Sequence, residues 1–464
     1  MANKEENGDN SRKGAPTKSI ADLFKKLSIQ EQPESPKKDM KDYKFWKTQP
    51  VTKFDESVLQ EGPIDSSKKT SDIPKEPFPM LPQFEWVTLD IDKDEEMTQL
   101  YELLYDHYVE DHDSTFRFAY NKDFFNWALK PPGWNKEWHL GVRVKATKRL
   151  VAFISGVPAN LKVRDHQFRA VEINFLCVHK KLRNKRLAPL LIKEITRRIN
   201  LCDIWQALYT SGTVLPSPIT VCRYAHRPLN WEKLYDVGFS ALPEDKTKAQ
   251  MMAKFAISSS TKTRGLRKMR QTDIDAVFDL YNRFQKRYEV SQEFTKEELS
   301  HWLLGDAHER TLSDSDKVIM CYVVENEDGR ITDFFSFYIL PFSVLNRPSF
   351  TNLGVAYLYY YASDTASEAE SRFDSEATKK LTKRLESLVS DALVLAKNVG
   401  VDVFNALTSQ DNVLFLEDLK FGPGDGFLNY YLFNYKAFPV PGGFDKTTNT
   451  YDTEKRSGMG VVML

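Results

Sequence analysis

The sequence predicts a mixed α/β (α+β) fold made of two pseudo-symmetric halves. Three observations carry this expectation. The chain has 464 residues, enough for two domains or one large double-lobed one. Two short peptides recur in the same order. "RLVAFIS" (Arg149 to Ser155) matches "RITDFFS" (Arg330 to Ser336), and "DIWQAL" (Asp203 to Leu208) matches "DVFNAL" (Asp402 to Leu407). Each copy also sits in the same run of local patterns, which makes an internal duplication the better reading.

Taken in order, residues 1–40 are rich in Lys, Glu, Ser, Asn and Pro and read as a disordered tail. "IADLFKKLSI" within it has the spacing of one or two amphipathic helical turns. Order begins at "YKFWKTQPV" (Tyr43 to Val51), where aromatics cluster. The first half, 41–260, then runs through a hairpin ("HLGVRVKATKRLVAFIS"), a long strand ("AVEINFLCV"), an amphipathic helix ("APLLIKEITRRI") and the strand with the hexapeptide. The second half, 261–464, repeats this with "MCYVVENEDGRITDFFSFYIL", "GVAYLYYYA", "KRLESLVSDALVLAKNV" and "DVFNAL". The halves meet near "SSSTKTRG".

Composition excludes several classes. Lys+Arg and Asp+Glu are both 65, so there is no bulk attraction to nucleic acid or an anionic membrane. Four cysteines lack metal-like CxxC spacing. A reduced cytosolic setting and no metal are therefore expected. The polar start "MANKEENGDN" predicts no secretory signal. No apolar run approaches the roughly 20 residues that span a bilayer. Aromatics make up 12%, which suits either a Phe-rich core or aromatic-walled clefts.

Differences between the halves point to the chemistry. After its long strand, half one continues "HKKLRNKRLAP", a basic, turn-prone segment that opens a helix; half two continues "SDTASEAESRFD", which is acidic. A basic loop feeding a helix N-terminus suits an anion such as phosphate. Half one is thus expected to bind a phosphorylated cofactor and half two is not. As a solvated run, "KKLRNKR" would carry no ligand, but its place between strand and helix argues against that. The chain ends on "SGMGVVML", eight residues without a charged side chain. Chain ends are usually polar and frayed, and an apolar one is expected to be buried.

The stretch "EINFLCVHKKLRNKRLAP" (Glu172 to Pro189) closely resembles the signature of the glycylpeptide N-tetradecanoyltransferase (N-myristoyltransferase) family, within the acyl-CoA N-acyltransferase superfamily. "KFGPGDG" (Lys420 to Gly426), "HYVEDHDSTFRFAY", "PPGW", "CRYAHRPLN" and "DALVLAKNVGVDVFNAL" follow the family order. The resemblance covers about residues 41 to 464. It implies two acyl-CoA N-acyltransferase-like halves around one saddle-shaped sheet. It also implies transfer of a tetradecanoyl group from myristoyl-CoA, the acyl donor, to the α-amine of an N-terminal glycine.

By residue type alone Phe175 and Leu176 are strand core; the resemblance makes their backbone N–H groups the oxyanion hole. That needs the strand to break its ladder there. The resemblance assigns the base to the C-terminal carboxylate of Leu464. A free α-carboxyl has a pKa near 3.5, a poor base until an apolar setting raises it. Asn174 and Thr210 resemble the family's partners for the incoming amine, or are ordinary strand-end polar groups. For the CoA ester the resemblance gives Lys44, Phe45 and Trp46, then Phe175, Leu176, Cys177 and Val178, then Arg183, Asn184, Lys185, Arg186, Leu187, Ala188 and Pro189. Arg186 stands at the superfamily's usual first glycine. Cys177 reads as core, not as a nucleophile, and His179 as support for the loop. For the peptide the resemblance gives Tyr108, Glu110, Asp111, Asp113, Phe116, Tyr120, Tyr224, His226, Ser336, Asp425 and Gly426. Asp425, flanked by glycines, also suits a plain turn. His112 interrupts the family's acidic run, and Ala225 replaces a bulkier aromatic.

The partners expected are N-terminal glycine peptides and proteins, with no nucleic acid and no transmembrane segment. A cytosolic monomer is expected, with the tail free to meet ribosomes or a membrane-associated fraction. Two rivals remain open at this point: an N-acyltransferase of another acyl length or lysine specificity, and a non-catalytic acyl-CoA-binding adaptor.

Overall fold

The computed structural model describes residues 39–109, 116–305, 317–345, 350–366 and 371–464. Nearly all of the expected tail lies outside the described residues, as do Glu110, Asp111, His112 and Asp113. The first half contains β1 (Phe84–Thr88), α1 (Asp94–His107), α2 (Lys122–Leu129), β2 (His139–Val144), β3 (Leu150–Val163), β4 (His166–Val178), α3 (Leu187–Asn200), β5 (Gln206–Ser211) and β6 (Thr220–Pro228). Two short helices follow, α4 (Trp231–Asp236) and α5 (Lys248–Phe255). The second half contains β7 (Leu266–Lys268), α6 (Ile274–Gln285), β8 (Val290–Glu293), α7 (Lys296–Leu304), β9 (Ile319–Glu325), β10 (Ile331–Ile339), β11 (Val355–Ser363), α8 (Ser375–Asn398), β12 (Val403–Leu407) and β13 (Gly422–Phe433).

Period decides which of these residues go inside. In α3, Leu187, Leu191, Ile195 and Ile199 recur every four residues and are buried. In α8 the buried face runs through Leu381, Leu385, Leu388, Ala392 and Ala396, and Asp374 caps the start by accepting from the Ala377 N–H. The central strands β10 and β11 are apolar nearly throughout because both faces are covered.

These thirteen strands join one sheet, in the order β1-β2-β3-β4-β5-β13-β6-β12-β11-β10-β9-β7, with β8 added antiparallel to one end of β3; shorter strands among the described residues form three small sheets beside it. The order reads the same from either edge. The β4–β5 pair is parallel and so is its counterpart β11–β12; the other neighbouring pairs are antiparallel. This is the mixed α/β class expected, with two pseudo-symmetric halves. The halves exchange strands. β13, from the end of the chain, lies between β5 and β6, while β6 pairs with β12. The pseudo-twofold axis passes through the paired residues Cys222 and Leu428.

One repeat match is in true register. Between β2 and β3 a bulge leaves Val151 unpaired, and its match Thr332 is unpaired between β9 and β10. The second match is two residues out of register. Gln206 pairs with Ala170 and Val403 with Val355, which makes Gln206 the counterpart of Val403. The hexapeptides share a strand-start composition, but strand pairing set the register.

Candidate active site

β4 carries the first part of the site. Phe153 pairs with Cys177 and Ser155 with Asn174, so Phe175 and Leu176 together face Ile154. The ladder breaks there, as the oxyanion assignment required. Phe175 adopts φ = 56°, a left-handed conformation an aromatic residue seldom takes. The Ser155 hydroxyl pins the bulge by donating to the Asn174 carbonyl at 3.0 Å. Tyr108 and Tyr120 close over it, with ring centroids 5.8 and 5.9 Å from that of Phe175. Burial pushes the Tyr108 phenol up to about 12, against a backbone hydrogen bond from Phe175.

The C-terminal segment supplies the second part. Arg456 to Met463 are all buried, and Leu464 is partly exposed at the end. The backbone polar groups of this segment find partners. The Gly458 carbonyl accepts from the N–H groups of Glu289 and Val290, and the Gly460 N–H donates to Val290 at 2.7 Å. The Gln410 N–H donates to the Met459 carbonyl at 2.8 Å. Tyr430 donates its hydroxyl to the Val461 carbonyl at 3.2 Å, and the Val462 N–H donates to the Tyr360 hydroxyl at 3.2 Å. Gly458 and Gly460 permit the threading. A Cβ on Gly460 would lie 2.5 Å from the Tyr288 ring and 2.7 Å from Gln285.

Glu172, absent from the expected site residues, lies near the tyrosines that hold the tail. It is buried, and its charge acts on Tyr338, Tyr359, Tyr360 and Tyr430, two of which hold the tail. Burial raises its carboxyl to about 7, although Asn174 donates to it at 2.7 Å. The sequence did hold a signal: an acid inside the apolar run "AVEINFLCV". Thr210 pairs with Tyr430, so its side chain shares the face that meets the tail.

The basic loop is the third part. His179 follows β4 and accepts from the Lys181 N–H, and the chain then turns through Lys180–Lys185. Arg186 takes φ = 59°, a left-handed conformation that glycine adopts most readily, and α3 starts at Leu187 with no acid in its first turn. Lys180, Lys181, Arg183, Asn184, Lys185 and Arg186 are exposed at this N-terminus, Leu187 is buried and Ala188 and Pro189 are half-buried. Arg183 donates to the His107 carbonyl at 2.8 Å, joining the loop to the end of α1. Lys44 to Trp46 lie across β5: Trp46 stacks on Tyr209 at 5.6 Å, and Tyr209 on Tyr431 at 4.9 Å. Phe45 packs edge-on to Trp46. The Cys177 thiol faces the Leu103 carbonyl, and burial pushes it up to about 12. That fits the core reading; Val178 ends the strand beside it.

The remaining peptide residues divide. His226 pairs with Gly422 across β6–β13, and Gly424 sits against its ring so closely that a Cβ there would collide with Nε2. The loop Gly424–Asp425–Gly426 is thereby held over Tyr224 and His226. Burial pushes His226 down to about 4, with Asn405 bonded to Nδ1 at 2.7 Å. Phe116 packs in a satellite core with Phe239 and Phe342. Ser336 is fully buried and donates to the Tyr360 carbonyl at 2.7 Å. Among the described residues no His/Cys/Asp/Glu group could hold a metal, and no helix is long and apolar enough to cross a membrane.

The profile for the N-terminal domain of myristoyl-CoA:protein N-myristoyltransferase matches residues 63–222, and that for its C-terminal domain matches 236–462. A glycylpeptide N-tetradecanoyltransferase of Candida glabrata is 56% identical over 452 residues, covering 96% of this chain and 99% of the relative. That of Saccharomyces cerevisiae is 58% identical over 428 residues, covering 92% and 93%. A crystal structure of the Saccharomyces cerevisiae N-myristoyltransferase with bound myristoyl-CoA superposes with a TM-score of 0.89 at 58% identity, covering 91% of this chain and all of that one. The chain belongs to the myristoyl-CoA:protein N-myristoyltransferase family.

Proposed function

We propose that this chain transfers a tetradecanoyl group from myristoyl-CoA to the α-amine of an N-terminal glycine. The observations that support the reading are a strand ladder broken at Phe175, a buried C-terminal tail and a basic loop at a helix start. Lys44 to Trp46, the strand end Phe175 to Val178 and the loop Arg183 to Pro189 hold the CoA ester, with N–H groups at the start of α3 on pyrophosphate. The thioester carbonyl oxygen sits on the N–H groups of Phe175 and Leu176. Each such donor contributes roughly 3 kcal/mol to the transition state.

The glycine ammonium, with a pKa about 8, gives a proton to the Leu464 carboxylate. The free amine attacks the thioester carbon, a C–N bond forms, the C–S bond breaks, and the second proton shed by the nitrogen goes to the departing sulfur, releasing the amide and CoA thiol. Thr210, Asn174 and Glu172 orient the amine. The peptide runs past Tyr108, Phe116, Tyr120, Tyr224, His226, Ser336, Asp425 and Gly426, with Glu110, Asp111 and Asp113 drawing basic residues. Phe116 and Ser336 act from behind, through the packing of the groove wall. The same reading makes the protein a monomer, places it in the cytosol, where four unpaired cysteines are at home, and leaves the tail, residues 1–40, to meet ribosomes.

Mass spectrometry of a Gly-starting peptide incubated with protein and myristoyl-CoA tests this. The expected product is heavier by one tetradecanoyl group and is not formed from an N-acetylated peptide. Binding of myristoyl-CoA without acylation would support the adaptor reading instead. A stronger reaction with a lysine side chain or another acyl length would support the other rival.

A further inference from the structure

The tail enters the protein through a cluster of charges that the proposed chemistry does not use. Asp411 is fully buried. Arg372 donates to it at 2.9 Å, Arg287 at 3.2 Å, Arg456 at 3.5 Å and the Tyr288 hydroxyl at 3.1 Å. Burial would raise its carboxyl, but the three guanidiniums hold it well below the usual carboxylate range. Two of these arginines also grip the tail. Arg372 donates to the Ser457 carbonyl at 2.6 Å. Arg456 is itself a tail residue, in the left-handed region at φ = 55°, and donates to the Arg372 carbonyl and to Thr378 of α8. The next residue back, Gln410, bonds the tail at Met459 and the Tyr359 carbonyl at 2.9 Å.

Register explains why an anchor matters. Beyond Ser457 the side chains alternate between two cores. Met459, Val461 and Met463 enter one cluster, while Val462 and Leu464 pack against the other. A slip by one residue would swap these faces and is opposed by packing. A slip by two residues keeps the faces and moves the carboxylate by about 7 Å. The crowded sites of Gly458 and Gly460, where a Cβ would collide, oppose that slip, and so do fixed points along the tail.

We infer that Asp411 and Arg372 are positioning residues for the reaction: they clamp the tail at Arg456 and Ser457 and so set where the Leu464 carboxylate stands. The inference rests on that carboxylate being the base. The clamp lies about 23 Å of extended chain from the carboxylate, so it acts through the tail alone.

The test uses the full chain and four variants: D411N, R372K, a truncation lacking Val462–Leu464, and D411N combined with that truncation. Single-turnover acyl transfer at saturating myristoyl-CoA and peptide is measured beside the Kd for myristoyl-CoA. D411N is expected to slow the chemical step at least about tenfold, since a misplacement near 1 Å can cost about a hundredfold. Its Kd for myristoyl-CoA is expected to stay within about twofold, because the loop for that ligand lies in the other half. Added to the truncation, D411N is expected to cause no further loss. R372K keeps the charge but not the fork between Asp411 and Ser457, so a smaller slowing is expected; it also serves should D411N not fold. If truncation keeps the full rate, the carboxylate-base reading falls and the positioning role with it. If truncation slows the reaction but D411N and R372K do not, or if their losses simply add to it, only the positioning role falls.

Discussion

Both halves of the sheet break their ladder at the same place, but they use the break differently. In half one Phe175 and Leu176 oppose Ile154; in half two Tyr359 and Tyr360 oppose Ser336. By register Phe175 corresponds to Tyr360, and the bulge of half two is one residue earlier. A serine of the matched peptides pins each bulge, Ser155 on Asn174 and Ser336 on Tyr360. Only half one has a left-handed residue there: Phe175 has φ = 56°, and neither Tyr359 nor Tyr360 has positive φ. Strain of this kind turns N–H groups away from the strand ladder. Half two is unstrained, and its Tyr360 hydroxyl receives the Val462 N–H of the tail. A duplicated feature has thus divided its work. On the proposed reading one copy faces the acyl group; the other holds the segment that bears the proposed base. Glu172 marks the same division, since its counterpart is Tyr357.

Removing Val462–Leu464 is expected to break the comparison most completely. The single-turnover rate falls about a thousandfold, equivalent to about 4 kcal/mol, while myristoyl-CoA binding persists. A tag fused after Leu464 is expected to do similar damage, and one at Met1 is not.

The next effect is on stability against pH. The folded pKa of Glu172 is raised to about 7, above its ordinary value of 4.5. Its contribution is therefore fully present below pH 4.5 and is lost as pH rises through 7. Glu172→Gln is expected to flatten the stability profile above pH 5, recovering up to about 3 kcal/mol at pH 8, as read by chemical denaturation. An unchanged profile would place the carboxyl in water.

Gly460→Ala puts a methyl group into the Tyr288 ring, at a predicted loss of about 1–3 kcal/mol and a slower chemical step. Thermal unfolding and single-turnover rates read the two effects separately. The smallest change is also the most discriminating. Ser155→Ala and Ser336→Ala each remove one buried hydrogen bond, about 1 kcal/mol of stability. Ser155→Ala is expected to reduce the rate even with the tail removed, because it acts on the oxyanion donors. Ser336→Ala acts through Tyr360 on the tail, so its rate effect is expected to vanish in the truncated protein. Equal behaviour of the two would end the division of work.

Much of this was legible beforehand. Arg149 to Ser155 and Arg330 to Ser336 matched in true register because hairpin strands pair locally, and a bulge survives at Val151 and Thr332. The basic loop and the apolar tail were visible as composition at particular places in the chain. The hexapeptide match failed by two residues because parallel strands are joined by a long crossover, which leaves their register to packing. Phe116 and Ser336 are buried, which was not legible, since residue type does not say which face of a strand is covered.

By itself the sequence determined the order of elements, the duplication, the half that has the anion loop and the apolar character of the chain end. These follow from local periodicity, charge and repetition. The tertiary structure alone decided that β13 and β6 change places between the halves, that Phe175 is turned into the left-handed region, and that Glu172 lies near the tyrosines that hold the tail. It also decided how far the tail is threaded before Leu464 comes to rest. The strand exchange and the threading depend on backbone hydrogen bonds and burial between segments hundreds of residues apart, and the turn at Phe175 on a bulge pinned across one hairpin by Ser155; neither leaves a local pattern in the chain.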